Sequence, residues 1–202
     1  MLVFVGAAGL RPSWDGSVVC IGTFDGVHRG HQRVVCTAVE EARRRELPSI
    51  VVTFDRHPAS TLAPERCPPS LGSVASKLRR LEELGVSAAV VLPFDRTLAE
   101  RSAEDFLLDL LVGSLRAQAM VVGHDFAFGK GREGTPEWLA RRIATTVVPP
   151  IVVEGQRVSS STIRSLVLEG SVDHAAELLG RAYSLEGVVV AGEKLGRKLG
   201  YP

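Results

Sequence analysis

Short Val-rich runs alternate with amphipathic segments along this chain, and no other feature of the sequence restricts the fold as strongly. Strand patterns fall at Val18 to Ile21, Ile50 to Phe54, Val86 to Leu92 and Ala117 to Val122. Helical patterns fall between them, at Arg29 to Arg45, Ser73 to Leu84 and Ala103 to Leu111. Strands joined through helices predict an α/β fold, a parallel sheet covered on both faces. Ligands of such sheets bind at the carboxyl ends of the strands. The interval Arg56 to Gly72, with Pro58, Pro64, Pro68 and Pro69, reads as an irregular surface flap. A helical pair follows at Ser160 to Glu169 and Val172 to Leu179, divided by Gly170. The pattern then turns to strand at Tyr183 to Val190, which predicts a boundary near Gly180.

Composition narrows the function by exclusion. Of 202 residues, 45% are apolar and 23% charged, enough for a sizeable core. The 24 Lys and Arg against 23 Asp and Glu leave a net charge of +1, so bulk electrostatics call for neither nucleic acid nor an anionic membrane. An anionic ligand has to be bound locally. No apolar run reaches the ~18 residues of a membrane span, and no leader pattern follows Met1, so a cytoplasmic protein is expected. Cys20, Cys36 and Cys67 lie outside CxxC spacing and read as reduced, buried small residues.

The stretch Gly22-Thr-Phe-Asp-Gly-Val-His-Arg-Gly-His31 stands where the first strand pattern ends and a helix begins. Gly22 and Gly26 allow a tight turn and close approach of a ligand to bare amides, and Gly30 allows close packing at the helix start. His28 and His31, three apart, share one face of the first turn, beside unpaired N–H groups and the positive end of the helix dipole. Imidazole donors and free amides together describe a phosphate cradle. The GKS/T of a P-loop and the GxGxxG of a dinucleotide fingerprint are both missing. A zinc site at Asp25, His28 and His31 lacks a further ligand at a recognisable spacing, so no resident metal is expected.

This stretch, in its GxFDGxHxGH form, resembles the signature of the HxGH nucleotidyltransferases, and within them the bacterial bifunctional riboflavin kinase/FAD synthetases. Three more stretches match that family in order: TFDRHP at Thr53 to Pro58, VGHDFAFGKGREG at Val122 to Gly134, and RVSSSTIR at Arg157 to Arg164. The resemblance implies a Rossmann-like nucleotidyltransferase domain that transfers AMP from ATP to FMN, giving FAD and pyrophosphate, with Mg2+ arriving on ATP. It implies catalytic roles for His28, His31 and Arg164. It implies ATP contacts at Gly22, Phe24, Asp25, Gly30, Arg157, Ser159, Ser160 and Ser161, and flavin contacts at Asp55, His57, Asp125, Phe126 and Phe128. From the residues alone, Ser159 to Ser161 also read as helix caps, and Phe126 and Phe128 also read as core.

The segment Glu186 to Pro202 resembles the entry of the riboflavin kinase barrel, without the Thr and Asn that follow the proline in that family. The expected division is residues 1–180 as an FMN adenylyltransferase domain and 181–202 as the incomplete start of a kinase module, with no riboflavin phosphorylation by this chain. Strands without their barrel would expose edges that invite self-association. Small molecules are the expected partners. Two function classes stay open: a competent adenylyltransferase, and a non-catalytic flavin- or nucleotide-binding remnant. A third reading keeps the enzyme class with a cytidylyl or pantetheine-phosphate substrate.

Overall fold

A computed structural model describes residues 1–7, 10, 14–188, 190 and 199–200. In chain order, β1 is Leu2–Val5, β2 Ser17–Ile21, α1 Arg29–Arg44, β3 Ser49–Phe54, α2 Ala59–Leu62, α3 Val74–Glu83 and β4 Ala88–Leu92. Then come α4 Arg96–Ala99, α5 Ala103–Asp105, β5 Ala117–Gly123, α6 Pro136–Ala140 and β6 Ala144–Val148. A two-stranded ribbon, β7 Val152–Val153 and β8 Gln156–Arg157, leads into α7 Ser160–Leu168 and α8 Val172–Leu179.

The six long strands form one sheet in the order β1-β4-β3-β2-β5-β6, every pair parallel. This is the expected α/β fold of Rossmann type. Because successive strand residues point to opposite faces, each central strand feeds two cores. Val18 and Cys20 of β2 join Val35, Ala38, Val39 and Ala42 of α1 and Leu81 of α3. Val19 and Ile21 join Leu107, Leu110, Leu111, Leu115 and Leu139 on the other face. The strands β2, β4 and most of β3 are buried throughout, which is why they read as continuous Val, Ile and Ala runs. After β2 the chain builds β3 and β4 on one side, then returns to place β5 on the other. The crevice at that reversal, at the strands' carboxyl ends, is where such sheets bind ligands.

Several elements differ from the sequence reading. The edge strands β1 and β6 carry no buried apolar run, since most of their residues are exposed. The helix expected at Ala103 to Leu111 is α-helical only over α5 and continues as a π-helix, Phe106–Ser114, around Leu107, Leu110 and Leu111. The proline-rich interval holds α2 and a 3-10 turn, Pro64–Arg66. No strand forms over residues 182–188 or at Val190. The expected start of a barrel otherwise falls on residues 189, 191–198 and 201–202, outside the described residues. Cys20 is buried as expected, whereas Cys36 and Cys67 are only half-buried, and all three are free thiols.

Candidate active site

The signature loop leaves β2 through a strained turn. Phe24 (φ +48°) and Val27 (φ +40°) both hold left-handed backbone, flanking Gly26 (φ +77°) in the 3-10 turn Asp25–Val27. For non-glycine residues, and above all for β-branched valine, this costs on the order of 1–3 kcal/mol each and persists only where surrounding contacts over-determine it. Those contacts are present: Phe24 and Val27 are buried in the core beneath α1. A further clamp is the side chain of Asp25, which accepts from Ser70 Oγ (3.0 Å), Leu71 N (2.9 Å) and Arg164 Nη2 (2.6 Å).

His28 is the N-cap of α1, and its Nδ1 accepts the His31 backbone N–H at 3.2 Å. That bond assigns the proton of the neutral ring to Nε2, which is left as a donor. The two imidazoles stack with centroids 3.6 Å apart and planes 16° apart, and Phe24 meets His31 edge-on at 5.4 Å. An added Cβ at Gly30 would lie 3.1 Å from the His28 ring, so this glycine makes room for the imidazole. Burial lowers His28 to about 4, and burial beside His28 and Lys77 holds His31 well below the ordinary histidine value. Both rings are therefore neutral at pH 7, donors in place of cations. His31 Nδ1 is buried without a protein partner among the described residues.

Both histidines line a cavity of about 870 Å³ between the β2, β3 and β5 ends and the N-terminus of α7. Its walls bring together most of the residues expected at the site: Gly22, Phe24, Gly30, His57, Asp125, Phe126, Phe128, Arg157 and Ser159 to Ser161. Ser159 caps α7 by accepting from Thr162 N (3.1 Å), while Ser160 Oγ donates to the Asp25 carbonyl (3.0 Å). Phe126 and Phe128 stack at 5.5 Å, and Phe128 also packs against Phe106 and Trp138. They are half-buried against the core and face the cavity as well.

Several expected contact residues already have protein partners. Arg164 is buried, its Nε donating to Pro69 O (2.7 Å) and its Nη2 to Asp25, so it ties α7 to the proline-rich interval and to the signature loop. The flap is thereby tethered. Asp55 accepts from Phe94 N (2.9 Å) and from its neighbour Arg56, which holds its carboxyl below the usual range. Arg157 Nη2 meets His124 Nε2 (2.9 Å) and Asp125 Oδ2 (2.7 Å), so an expected ATP contact and an expected flavin contact pair with each other at the cavity wall. His57 Nδ1 accepts from Ala59 N (3.1 Å) at the start of α2. Lys77 was not anticipated. It lies in α3, outside every motif, and nothing in local sequence separates it from a solvated helix lysine. Among the described residues no group of three or more His, Cys, Asp or Glu side chains is placed to hold a metal ion, and no helix is long and apolar enough to cross a membrane.

Comparison with known proteins accords with this geometry. The family model described as FAD synthetase matches residues 10–162. The bifunctional riboflavin kinase/FMN adenylyltransferase of Escherichia coli K12 is 38% identical over 193 residues, covering 93% of this chain and 62% of that protein. The Bacillus subtilis 168 protein of the same name is 36% identical over 191 residues, covering 92% and 60%. The chain thus spans about three fifths of the length of these curated relatives. A crystal structure described as a macrolide-efflux protein from Streptococcus pneumoniae aligns with TM-score 0.89 and 32% identity, over 100% of this chain and 67% of that one. With its matching motifs arranged around one cavity at the switch point of a parallel sheet, the chain belongs to the FAD synthetase family.

Proposed function

We propose that this chain is an FMN adenylyltransferase, with residues 1–180 as the adenylyltransferase domain. An oxygen of the FMN phosphate attacks the α-phosphorus of MgATP; the bond from that phosphorus to the bridging oxygen breaks, and pyrophosphate leaves as FAD forms. The observation that carries this reading is the pair of stacked, neutral histidines in the cavity wall. A phosphate monoester has its second pKa near 6, so the nucleophile is already largely ionised at pH 7 and requires no general base. The protein has instead to align the groups and stabilise charge moving from the α- to the β-phosphate.

His28 suits that task, with Nδ1 fixed by the helix and Nε2–H free to donate to a triphosphate oxygen. His31 stacks behind it and supplies a second imidazole. The N-terminus of α7, opened by Ser159 to Ser161, would bind the nucleotide phosphates from the facing wall, and Arg157 would add a forked donor once released from Asp125. Phe126 and Phe128 provide apolar ring surface of the kind a flavin stacks on, with His57 and Asp125 at its edges. We assign Asp25, Arg164 and Asp55 to holding these elements in place. Magnesium belongs to the substrate here, held by triphosphate oxygens and water. The proposal includes a cytoplasmic setting and residues 181–202 as the beginning of a kinase module.

The test is to incubate the purified chain with MgATP and FMN, and separately with MgATP and riboflavin, and to separate the flavins by chromatography. FAD from FMN is the expected result, and the riboflavin arm reads out separately whether riboflavin is phosphorylated. Measurable binding of ATP or FMN without FAD would replace the proposal by the non-catalytic binding reading.

A further inference from the structure

Beside the signature loop, a second cavity of about 410 Å³, which neither His28 nor His31 lines, is walled by α3, the proline-rich interval and Tyr183, Ser184 and Glu186. The wall common to both cavities includes Thr23, Phe24 and Phe54. Lys77 reaches that wall from the second cavity. Its Nζ donates to Thr23 O (3.0 Å), Thr53 Oγ1 (3.0 Å) and Phe54 O (2.9 Å), using all three ammonium protons. Thr53, fully buried, donates in turn to Thr23 O at 3.2 Å. One carbonyl, at the carboxyl end of β2, thus accepts two hydrogen bonds.

The Thr23–Phe24 peptide is trans, so its C=O and N–H point in opposite directions. With the carbonyl drawn to Lys77, the Phe24 N–H turns away from the lysine. It meets no protein acceptor among the described residues. The peptide also enters the left-handed Phe24, a conformation that holds only under outside constraint.

Resting on the adenylyltransferase reading above, we propose that Lys77 is a positioning residue: with Thr53 it clamps the Thr23 carbonyl and so keeps the strained Phe24 turn, and its N–H, presented to the triphosphate. The clamp is strongest while the ammonium is protonated. Burial pulls Lys77 down to about 8, against the opposing fields of Asp25 in the 3-10 turn and Asp55 beyond β3. His31 of α1 also faces it and is neutral in this range, and His57 and Arg181 line the same cavity. On α3 itself, Arg79 pairs with Glu186 and Arg80 with Glu83.

The experiment compares the full chain with K77M and T53V, measuring FAD formation from FMN at varied MgATP between pH 6.5 and 9.5, with circular dichroism as the check on folding. K77M is expected to lose at least about tenfold in kcat with ATP KM within about threefold, the pattern of an interaction needed in the transition state. T53V should lose about threefold. Wild-type kcat should fall above about pH 8, and that limb should vanish in K77M. A folded K77M within twofold of wild type, or one changed only in KM, overturns the proposal. If K77M does not fold, wild-type kcat in T53V overturns it. A wild-type chain that forms no FAD removes the adenylyltransferase reading and this proposal with it, whereas an active wild type with an unaffected K77M removes this proposal alone.

Discussion

Two aspartate–arginine pairs close at nearly equal distances, Asp25–Arg164 at 2.6 Å beneath the signature loop and Asp125–Arg157 at 2.7 Å on the wall of the histidine cavity. Their side chains are 11% and 10% exposed in the first pair, 69% and 55% in the second. Identical chemistry therefore has opposite consequences. Each member of the buried pair holds further hydrogen bonds to the proline-rich interval, and losing one partner would strand a charge away from water. The exposed pair is screened and easily exchanged for a ligand's charge, so its members remain available to substrate.

The largest effect should come from breaking the buried pair. R164M is expected to lower unfolding free energy by about 3–5 kcal/mol in urea titration, because it leaves Asp25 uncompensated. Pairing it with D25L should restore most of that loss; a loss under about 1 kcal/mol in R164M alone would show that burial is not what distinguishes the two pairs. Next, H28A should reduce turnover about a hundredfold, as expected for a donor worth roughly 3 kcal/mol, with ATP binding weakened less. Unchanged turnover would take His28 out of the phosphate cradle.

Acidity should act through the histidines. Their folded values lie below the ordinary 6.5, so below that pH the unfolded chain takes up protons that the folded chain refuses. The stability they contribute is complete above about pH 6.5 and is lost as the pH falls toward about 4. The urea midpoint should drop between pH 7 and 5, and H28N should drop less. The smallest effect belongs to the exposed pair. R157A should leave stability within about 1 kcal/mol, as for other surface pairs, while raising ATP KM several-fold. A large stability loss there would erase the contrast between the two pairs.

What could be read in advance followed burial. The strands β2, β3 and β4 announce themselves because both their faces are covered, and α1 because one of its faces is. The strands β1 and β6 sit at the sheet edges, where no covering layer demands apolar residues. The run Phe-Leu-Leu-Asp-Leu-Leu read as helix, yet an apolar run does not encode whether its turns are α or π. At the site, motif spacing gathered the glycines, the histidines and the serine cap. The resemblance implied a catalytic role for Arg164 and an ATP contact for Asp25, and folding makes each the other's partner from 139 residues away along the chain.

The sequence by itself determined the α/β alternation, the turn after β2 and the identity of the groups delivered to it, because these depend on residues close together along the chain. Only the tertiary structure decided which charges are consumed in holding the site and which face the cavity. It alone made Lys77 part of the site, because the three oxygens that ammonium meets lie on two other strand ends that folding brings beside α3.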